Sequence, residues 1–363
     1  MCDLSVIITV YNIKETYLRM CLDSVINQTL HNIEIIIIDD GSTNNCAAIC
    51  DEYSSLDQRI RVFHVENGGQ SRARNMAVDL AKSPLVMFLD GDDWLSLDAC
   101  KTVHDEMVLT NCDVLVFSFY RVFKNHTITV ACSDYENKLI TIDNTNIEEY
   151  LKYALYIQQY VSRDLVNDAS TSTSLWNKAY RRSFLIKNNI TCPENLSLFE
   201  DNIFLIKLYS ANPTIKFVDK ILYNYRINAG SITQKTLGTE KEQINLVNAI
   251  VSIREQNVLF SEKLQWLLTI FTLMRVTQII KSQCIYTSET LRKKYQWIKK
   301  FLSLPAISEI FTNFHNSYAF KMATKKHKLI GILYEYHLIF AVLFLFNMKR
   351  INDKTLEFDN RFD

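Results

Sequence analysis

The chain has 363 residues, which is enough for a full α/β domain and a smaller second unit. Hydrophobic residues make up 48% of the sequence and aromatic residues 12%, which excludes a generally disordered protein. Lysine plus arginine and aspartate plus glutamate each total 40, so the net charge favours no class of partner.

The distribution of charge and of cysteine is more informative. Residues 236–350 contain 16 lysines and arginines against 7 acidic residues, and this surplus favours contact with an anionic surface. The nine cysteines follow no disulfide or zinc-site spacing, which is typical of reduced thiols in a cytosolic protein. Because Met1-Cys2-Asp3-Leu4 runs directly into a predicted strand, we expect no signal peptide.

Strand-like and helix-like segments alternate over residues 4–117. Short apolar runs predict strands buried on both faces, and apolar residues at helical spacing separate them. This βαβα pattern predicts an α/β fold with a mostly parallel sheet and helices on both faces. The predicted strands are 4–10, 33–39, 61–65, 85–89 and 114–117. The N-caps of the helices are predicted at Thr43 or Asn44, Ser71 and Ser96.

Polar segments follow four of these predicted strands. Ligands of such sheets bind at the carboxyl ends of the strands, so we expect the four segments to meet at one edge. They are residues 9–12, 39–42, 68–75 and 90–93.

The sequence Asp90-Gly91-Asp92 places two alternate carboxylates at a strand end, with a glycine between them that lets a ligand approach the backbone. Mg²⁺ and Mn²⁺ accept one or two carboxylates plus phosphate oxygens, so this pattern fits a metal that holds a diphosphate. The alternative is a set of acidic residues that only cap the next helix.

A glycine-rich loop, Gly68-Gly69-Gln70-Ser71, precedes a helix that carries Arg72 and Arg74. Free backbone N–H groups and guanidinium groups at a helix start are typical of an anion site. The alternative is a plain glycine loop with solvated arginines.

Five motifs in succession resemble those of the family 2 inverting glycosyltransferases, which have the GT-A fold, a Rossmann-like sheet. They lie at plausible intervals within the first ~120 residues, which makes the match much more specific than a single glycine pattern. Weaker matches follow at residues 175–181 and 199–204. The five motifs are residues 5–12, 24–29, 37–42, 69–75 and 88–93.

This resemblance implies a role for each matching residue. The nucleotide base pocket would contain Thr9, Val10, Tyr11 and Asp40, and the metal, Mn²⁺ or Mg²⁺, would bind to Asp92. The remaining donor-site residues would be Arg74 and Asn75 near the nucleotide and diphosphate, and Asp90 and Gly91 near the ribose. Trp176, Asn177 and Lys178 would face the donor sugar or the acceptor.

In the pair Glu200-Asp201, Asp201 matches the usual catalytic base of the family. Single displacement with inversion needs one carboxylate that removes the proton of the acceptor hydroxyl, and a divalent metal can neutralise the leaving diphosphate. Asp201 opens a helix-like run and would lie at a rim. The alternative is an acidic residue that only complements the helix dipole.

Residues 236–363 are predicted to form a helical domain after a catalytic domain at residues 1–235. Residues 329–348 are strongly apolar, but Glu335 and His337 interrupt them, which disfavours a spanning helix of ~20 residues. With the basic residues on either side, residues 321–350 fit a surface-bound anchor on anionic lipid. A buried helix surrounded by solvated lysines is the alternative reading.

Together these patterns predict an inverting glycosyltransferase (EC 2.4) that moves a sugar from a nucleotide-diphosphate donor, such as a UDP-sugar, to a glycan, polysaccharide or lipid-linked acceptor. We expect a cytoplasmic protein, peripheral at the inner face of the membrane, with no nucleic-acid partner. The alternatives are a catalytically inactive nucleotide-sugar-binding protein and a sugar nucleotidyltransferase. The latter is disfavoured because the sequence has no glycine- and lysine-rich phosphate loop near its start.

Overall fold

The computed structural model describes residues 2–132, 137–157, 172–227, 240–255, 262–287 and 289–352. The chain divides into two compact units. The predicted change of domain near Thr236 falls outside the described residues, so the boundary stays a prediction. The first unit consists of Met1–Tyr150 and Asn167–Ile227, and the second of Leu151–Val166 and Asn228–Asp363.

A ten-stranded sheet forms the core of the first unit. Its main order is β3-β2-β1-β4-β9-β6-β10-β5, with β7 paired to β6 and β8 paired to β10. The strands are β1 Leu4–Val10, β2 Ile33–Asp39, β3 Ile60–His64, β4 Leu85–Asp90, β5 Trp94–Leu95, β6 Val114–Val122, β7 Thr127–Val130, β8 Leu139–Thr141, β9 Lys178–Arg181 and β10 Thr214–Arg226.

The strands β3, β2, β1 and β4 are parallel, as the alternating pattern predicts. Every residue of β1 and β2 is buried, because these two strands are central and apolar along their whole length. The strand β9 runs antiparallel between β4 and β6, and β5, β7 and β8 are also antiparallel to their partners. The α/β fold is confirmed, with antiparallel additions that the sequence pattern did not predict.

The helices that follow the parallel strands begin close to their predicted positions, but the predicted caps are wrong. Asn45, Gly69 and Asp98 occupy the N-cap positions of α2, α3 and α4. Ser71 lies inside α3 with a buried hydroxyl, and the Ser96 hydroxyl donates to the carbonyl of Ile221. The helices of the first unit are α1 Glu15–Ile26, α2 Cys46–Leu56, α3 Gln70–Leu80, α4 Ala99–Thr110, Arg182–Lys187 and Glu200–Ser210, and Ile147–Leu155 begins there.

The described part of the second unit is helical, as expected for the C-terminal region. Its core contains Phe271, Ile279 and Phe301, which are almost completely buried. Across the described residues, every helix is too short or too polar to traverse a lipid bilayer. The main helices are Glu240–Glu255, Glu262–Tyr286, Leu291–Leu302, Pro305–Phe311, Tyr318–Met322, Lys325–Glu335 and Ile339–Asn352.

Candidate active site

Arg74 connects two acidic residues at the carboxyl edge of the sheet. Its Nη2 donates to Oδ1 of Asp90, at the end of β4, over 3.0 Å, and its Nη1 donates to Oδ1 of Asp201 over 3.1 Å. The Arg74 side chain is only 3% exposed and lies against the ring of Phe88. Because the cation is shielded from solvent, its attraction for both carboxylates is stronger than that of a surface pair.

Asp201 lies in the first turn of the helix Glu200–Ser210, where the N-cap residue Phe199 has a left-handed backbone with φ of 70°. Burial raises the pKa of Asp201, whereas the charge of Arg74 acts in the opposite direction. Burial and the neighbouring Asp201 carboxylate also raise the pKa of Glu200. The pair therefore contains a carboxylate that attracts a proton more strongly than a solvated one, as a general base requires.

Asp40 organises the glycine-rich loop. Its Oδ1 accepts the N–H of Gly68 over 2.8 Å, and its Oδ2 accepts the N–H of Gly69 over 2.9 Å. These two N–H groups were expected to be free for an anion, and the structure shows them bonded to a buried carboxylate instead. A Cβ on Gly41 would lie 2.8 Å from the backbone nitrogen of Asn67, so a glycine is needed where the two loops cross.

The end of β1 lies beside Asp90. Thr9 Oγ1 accepts a 3.4 Å hydrogen bond from Nε2 of Gln70, which also donates to Oδ1 of Asp90 over 2.8 Å. Val10 is buried in the core, whereas the side chain of Tyr11 is 49% exposed. Tyr11 is therefore accessible to a ligand at this edge, whereas the Val10 carbonyl accepts the N–H of Asp40, and the predicted contact of Val10 with the base stays a prediction.

Gly91 allows two chain segments to approach each other. A Cβ at this position would lie 3.1 Å from the carbonyl oxygen of Thr9. The glycine was expected to admit a ligand to the backbone. Its missing side chain also admits the end of β1, so a larger residue would need the neighbouring chain to shift by a few tenths of an ångström, and the expected approach of a ligand stays a prediction.

Residues from β10 hold the loop after Asp90 in place. The Tyr223 hydroxyl accepts the N–H of Asp90 over 3.1 Å and donates to Oδ2 of Asp93 over 2.8 Å. Arg226 donates from Nε to the carbonyl oxygen of Asp92 over 2.8 Å, with its guanidinium over the rings of Tyr17 and Trp94. The partly exposed Asp92 is thus carried on a braced backbone.

Asn75 lies one residue beyond Arg74 but has a different set of contacts. Its Nδ2 donates to the carbonyl of Cys192 and to Glu194, and its Oδ1 accepts the N–H of Cys192. These bonds fasten the segment before Glu200 to α3. The structure places Asn75 as a brace for that segment, and its predicted contact with the nucleotide stays a prediction.

Trp176, Asn177 and Lys178 are buried. The Trp176 ring stacks on Tyr223 and Tyr225, with centroid distances of 4.4 and 4.9 Å. Lys178 Nζ donates to the carbonyl oxygens of Ser172 and Ser174 and to Oδ1 of Asn177, at 2.7 to 2.9 Å. Burial lowers the pKa of Lys178 to about 7, and its charge in turn lowers the pKa of Asp201. The side chains of these three residues contact other protein groups, and their predicted contact with a sugar stays a prediction.

Hydrogen bonds therefore join Thr9, Gln70, Arg74, Asp90 and Asp201 in one cluster. Sequence reasoning assigned no role to Gln70, although its motif contained it. It also missed Tyr223 and Arg226, because they lie more than 120 residues after Asp90 and belong to none of the motifs. Only the pairing of β10 with β6 and β5 brings them to the loop.

A divalent cation would bind at this edge only if diphosphate oxygens of a donor completed its coordination. Within the described parts of the chain, no three His, Cys, Asp or Glu side chains are grouped to coordinate a metal. Asp90 Oδ1 is bonded to Arg74 and Gln70, and Asp93 is bonded to Tyr223 and Arg226. A single hard carboxylate, Asp92, together with diphosphate oxygens would satisfy Mg²⁺ or Mn²⁺, which rarely use a cage made entirely of protein ligands.

Comparison with known proteins identifies the class. The profile of the family described as "Glycosyl transferase family 2" matches residues 5–186, which include β1 to β4, the Asp90 loop and Arg74. The chain therefore belongs to glycosyl transferase family 2. The family segment ends before Asp201, so the position of the candidate base rests on the geometry described above.

Two bacterial relatives are each 33% identical to this chain. EpsH of Bacillus subtilis matches over 237 residues, 64% of this chain and 62% of EpsH. The glycosyltransferase GlyA of Streptococcus pneumoniae matches over 250 residues, 68% of this chain and 33% of GlyA. The matched region thus spans less than two thirds of either relative.

Solved structures share the fold. The S. aureus TarS fragment 1–349, crystallised with UDP-GlcNAc, has a TM-score of 0.65 at 20% identity. The superposition covers 96% of this chain and 92% of that fragment. At this identity the similarity establishes the architecture alone.

Proposed function

We propose that this chain is an inverting glycosyltransferase that moves a sugar from a nucleotide-diphosphate donor to an acceptor hydroxyl. The observation that carries the proposal is the Arg74 bridge, which holds Asp201 and Asp90 on one guanidinium at the carboxyl edge of the sheet. Asp201 supplies a base, Asp90 a ribose ligand and Arg74 a fixed separation between them. A binding protein without turnover would not need the base.

The proposed reaction is a single displacement. The acceptor hydroxyl gives its proton to the Asp201 carboxylate, its oxygen forms a bond to the anomeric carbon, and the bond from that carbon to the diphosphate breaks. Because attack comes from the face opposite the leaving group, the configuration inverts. The raised pKa of Asp201 makes its carboxylate a stronger proton acceptor than a solvated one.

Asp92 would hold the divalent metal, Mn²⁺ or Mg²⁺. When bound, the cation supplies positive charge to the leaving diphosphate. Arg226 and Tyr223 keep the Asp92 loop at a fixed place beside β1, so Asp92 does not have to reorganise as the donor enters. The chain therefore contributes a fixed position for one carboxylate, that of Asp92, and few metal ligands.

We propose UDP-sugars as donors. Asp40, Thr9 and the exposed Tyr11 surround the end of β1, where the base would bind. The relative with a shared fold was crystallised with UDP-GlcNAc, which supports this donor class for the chain. The Asp40 carboxylate already accepts two backbone N–H bonds and one bond from the Asn67 side-chain amide, so it would contact the base with the remaining lone pair of Oδ1.

We also propose that the second unit attaches the enzyme to the anionic inner face of a membrane, where a lipid-linked or polysaccharide acceptor would be extended. On the helix Ile339–Asn352, Phe340 and Phe344 are 75% and 67% exposed. Phe340 contacts the ring of Tyr295 at a centroid distance of 4.6 Å. On the helix Leu291–Leu302, Arg292 and Lys299 are three and four residues from Tyr295 and so share its face.

Exposed aromatic residues flanked by cations fit shallow insertion into anionic lipid. We call this surface, formed by Tyr295, Phe340, Phe344, Arg292 and Lys299, the aromatic-basic face. The other side of the same helix is buried, since Ile339, Val342, Leu343 and Phe346 are at most 5% exposed. The segment is thus both a packed helix and a candidate anchor, and the two interpretations given by the sequence are compatible.

The deciding experiment is turnover of radiolabelled nucleotide sugars. A panel of UDP-, GDP- and dTDP-sugars is incubated with the full chain and Mn²⁺ or Mg²⁺, and release of free sugar or transfer to a glycan is measured. Metal-dependent release from a UDP-sugar supports the proposal. Binding without release identifies an inactive binding protein, and formation of a nucleotide sugar from NTP and sugar phosphate identifies a nucleotidyltransferase.

A further inference from the structure

The second unit contains a cleft that the proposed reaction does not use. It lies among the helices Glu240–Glu255, Glu262–Tyr286, Pro305–Phe311 and Tyr318–Met322 and has a volume of about 530 Å³. This size falls within the range of about 300–1,000 Å³ that is typical of small-molecule sites. All of its lining residues belong to the second unit.

Two aromatic side chains form one wall of the cleft. The rings of Trp266 and Tyr318 meet edge to face, with a centroid distance of 5.8 Å and an interplanar angle of 71°. Trp266 is 3% exposed and fixed in the core, whereas Tyr318 is 54% exposed. An accessible ring face carries partial negative charge and attracts C–H groups, which carry partial positive charge. The apolar faces of sugar rings present such C–H groups.

An ion pair also lines the cleft. Arg254 Nη1 and Glu309 Oε2 are 2.9 Å apart, with partly exposed side chains. Among the described lining residues the ionised groups are these two, and their charges cancel. Lys152 adds a positive charge near the aromatic wall, since its Nζ lies 5.4 Å from the centroid of the Trp266 ring. A surrounding without excess negative charge disfavours a bare divalent cation. A carboxylate beside a guanidinium still offers acceptors and donors to vicinal hydroxyl groups.

Uncharged polar side chains and the apolar Leu268, Ile310 and Ala319 complete the lining. The Thr312 hydroxyl donates to the carbonyl of Ser308 over 3.1 Å, so its lone pairs can accept a hydrogen bond. Gln265 adds a primary amide, which carries both donors and acceptors. One aromatic surface, several hydroxyl or amide groups and a balanced ion pair match the chemistry of a neutral polyhydroxylated ring.

We infer that this cleft binds a neutral saccharide unit, as part of the glycan on which the enzyme acts. The inference rests on the proposed function for the identity of that glycan, but saccharide binding itself does not depend on turnover. A site of this kind would lower the dissociation constant of a long acceptor more than that of a short one, because the second contact is made intramolecularly.

The test is titration of the full chain with cellotriose, chitotriose and β-1,4-galactotriose, followed by calorimetry or by saturation-transfer NMR. We expect at least one trisaccharide to bind, and we expect Tyr318→Ala and Thr312→Val each to weaken it about tenfold or more. Tyr336→Ala is the matched control, because Tyr336 is 56% exposed in the same unit but does not line the cleft. It should bind as the unmodified chain does.

The inference is overturned if the unmodified chain binds none of the three sugars at about 10 mM, a concentration that detects even weak sites. It is also overturned if Tyr318→Ala binds normally, or if Tyr336→Ala loses binding to the same extent. Hydrolysis of UDP-sugars is measured in parallel. Trisaccharide binding without any donor turnover would contradict the proposed function and support the assignment of the cleft. Turnover without trisaccharide binding would support the proposed function and overturn the assignment of the cleft.

Discussion

Nη1 of Arg74 lies 3.1 Å from Oδ1 of Asp201, and this contact links residues that are 127 positions apart in the sequence. The opposite nitrogen of the same guanidinium holds Asp90. A planar guanidinium that donates hydrogen bonds from two of its nitrogens fixes both the distance and the angle between its partners, which an ammonium group cannot do. Arg74 therefore sets the spacing between the candidate base and the donor edge.

Replacement of Arg74 by glutamine should shift the pH dependence of turnover. The guanidinium lowers the pKa of Asp201, so its loss raises that pKa further and moves the acid limb of the kcat profile to higher pH. We expect turnover to fall about 100-fold as well, because the base is no longer held in place. Arg72→Gln on the same helix is the control, and its acid limb should not move. An unchanged acid limb in a folded Arg74→Gln variant would contradict the bridge.

Asp201→Asn should separate catalysis from donor binding. The amide cannot accept the acceptor proton, so we expect kcat to fall by about 10² to 10⁴. The dissociation constant of UDP, measured by calorimetry, should stay close to that of the unmodified enzyme. Glu200→Gln keeps the base and should lose less than about tenfold. Equal losses in the two variants would make the pair, and not Asp201 alone, responsible for proton removal.

The sequence predicted the parallel half of the sheet because its strands are continuous apolar runs with few competing patterns. Asp39 to Ser42 and Asp90 to Asp93 could be placed at one edge on the same basis. Sequence reasoning could not show that the Asp40 carboxylate is bonded to the N–H groups of Gly68 and Gly69. That pairing depends on loop geometry, which side-chain spacing does not specify.

Two further features that the sequence did not reveal, the strand β9 and the position of Arg226, depend on the antiparallel strands. The strand Lys178–Arg181 is four residues long and carries two basic side chains, so it gives no strand signal. Its insertion between β4 and β6 buries Lys178, which the motif alone presented as a ligand contact. Likewise, Arg226 reaches the Asp92 carbonyl only because β10 pairs with β5.

Asp92→Asn should weaken metal binding and lower turnover. Loss of one carboxylate charge weakens cation binding, and we expect turnover to fall at least about 100-fold with no change in the thermal unfolding midpoint. Excess EDTA should have the same effect on the unmodified enzyme, with recovery when Mn²⁺ is added. Asp105→Asn, on the exposed surface of α4, should behave as the unmodified enzyme. Full activity in EDTA would remove the metal from the mechanism.

Lys178→Met should destabilise the first unit without weakening donor binding directly. The substitution leaves three oxygen acceptors at Ser172, Ser174 and Asn177 without their common donor, at a cost of about 3 kcal/mol in the free energy of unfolding. Chemical denaturation measures that loss. A stable variant with a strongly weakened affinity for a UDP-sugar would instead place Lys178 in contact with the donor.

Membrane binding can be tested without removal of any segment. Truncation before the helix Ile339–Asn352 would delete buried Val342, Leu343 and Phe346, so loss of binding by such a variant could reflect unfolding. The double variant Phe340→Ser and Phe344→Ser changes only exposed side chains. We expect the unmodified chain to float with phosphatidylglycerol vesicles and the double variant to remain largely in solution, because shallow apolar insertion is lost.

The charge of the aromatic-basic face gives a second, independent readout. Raised salt should weaken binding of the unmodified chain without abolishing it, since only the electrostatic part is screened. Ile244→Ser is the control, because Ile244 is 55% exposed on a different helix of the same unit. It should float as the unmodified chain does. If the unmodified chain ignores anionic vesicles at low salt, or binds neutral phosphatidylcholine equally well, the aromatic-basic face is not an anionic-membrane anchor and the proposed localisation is wrong.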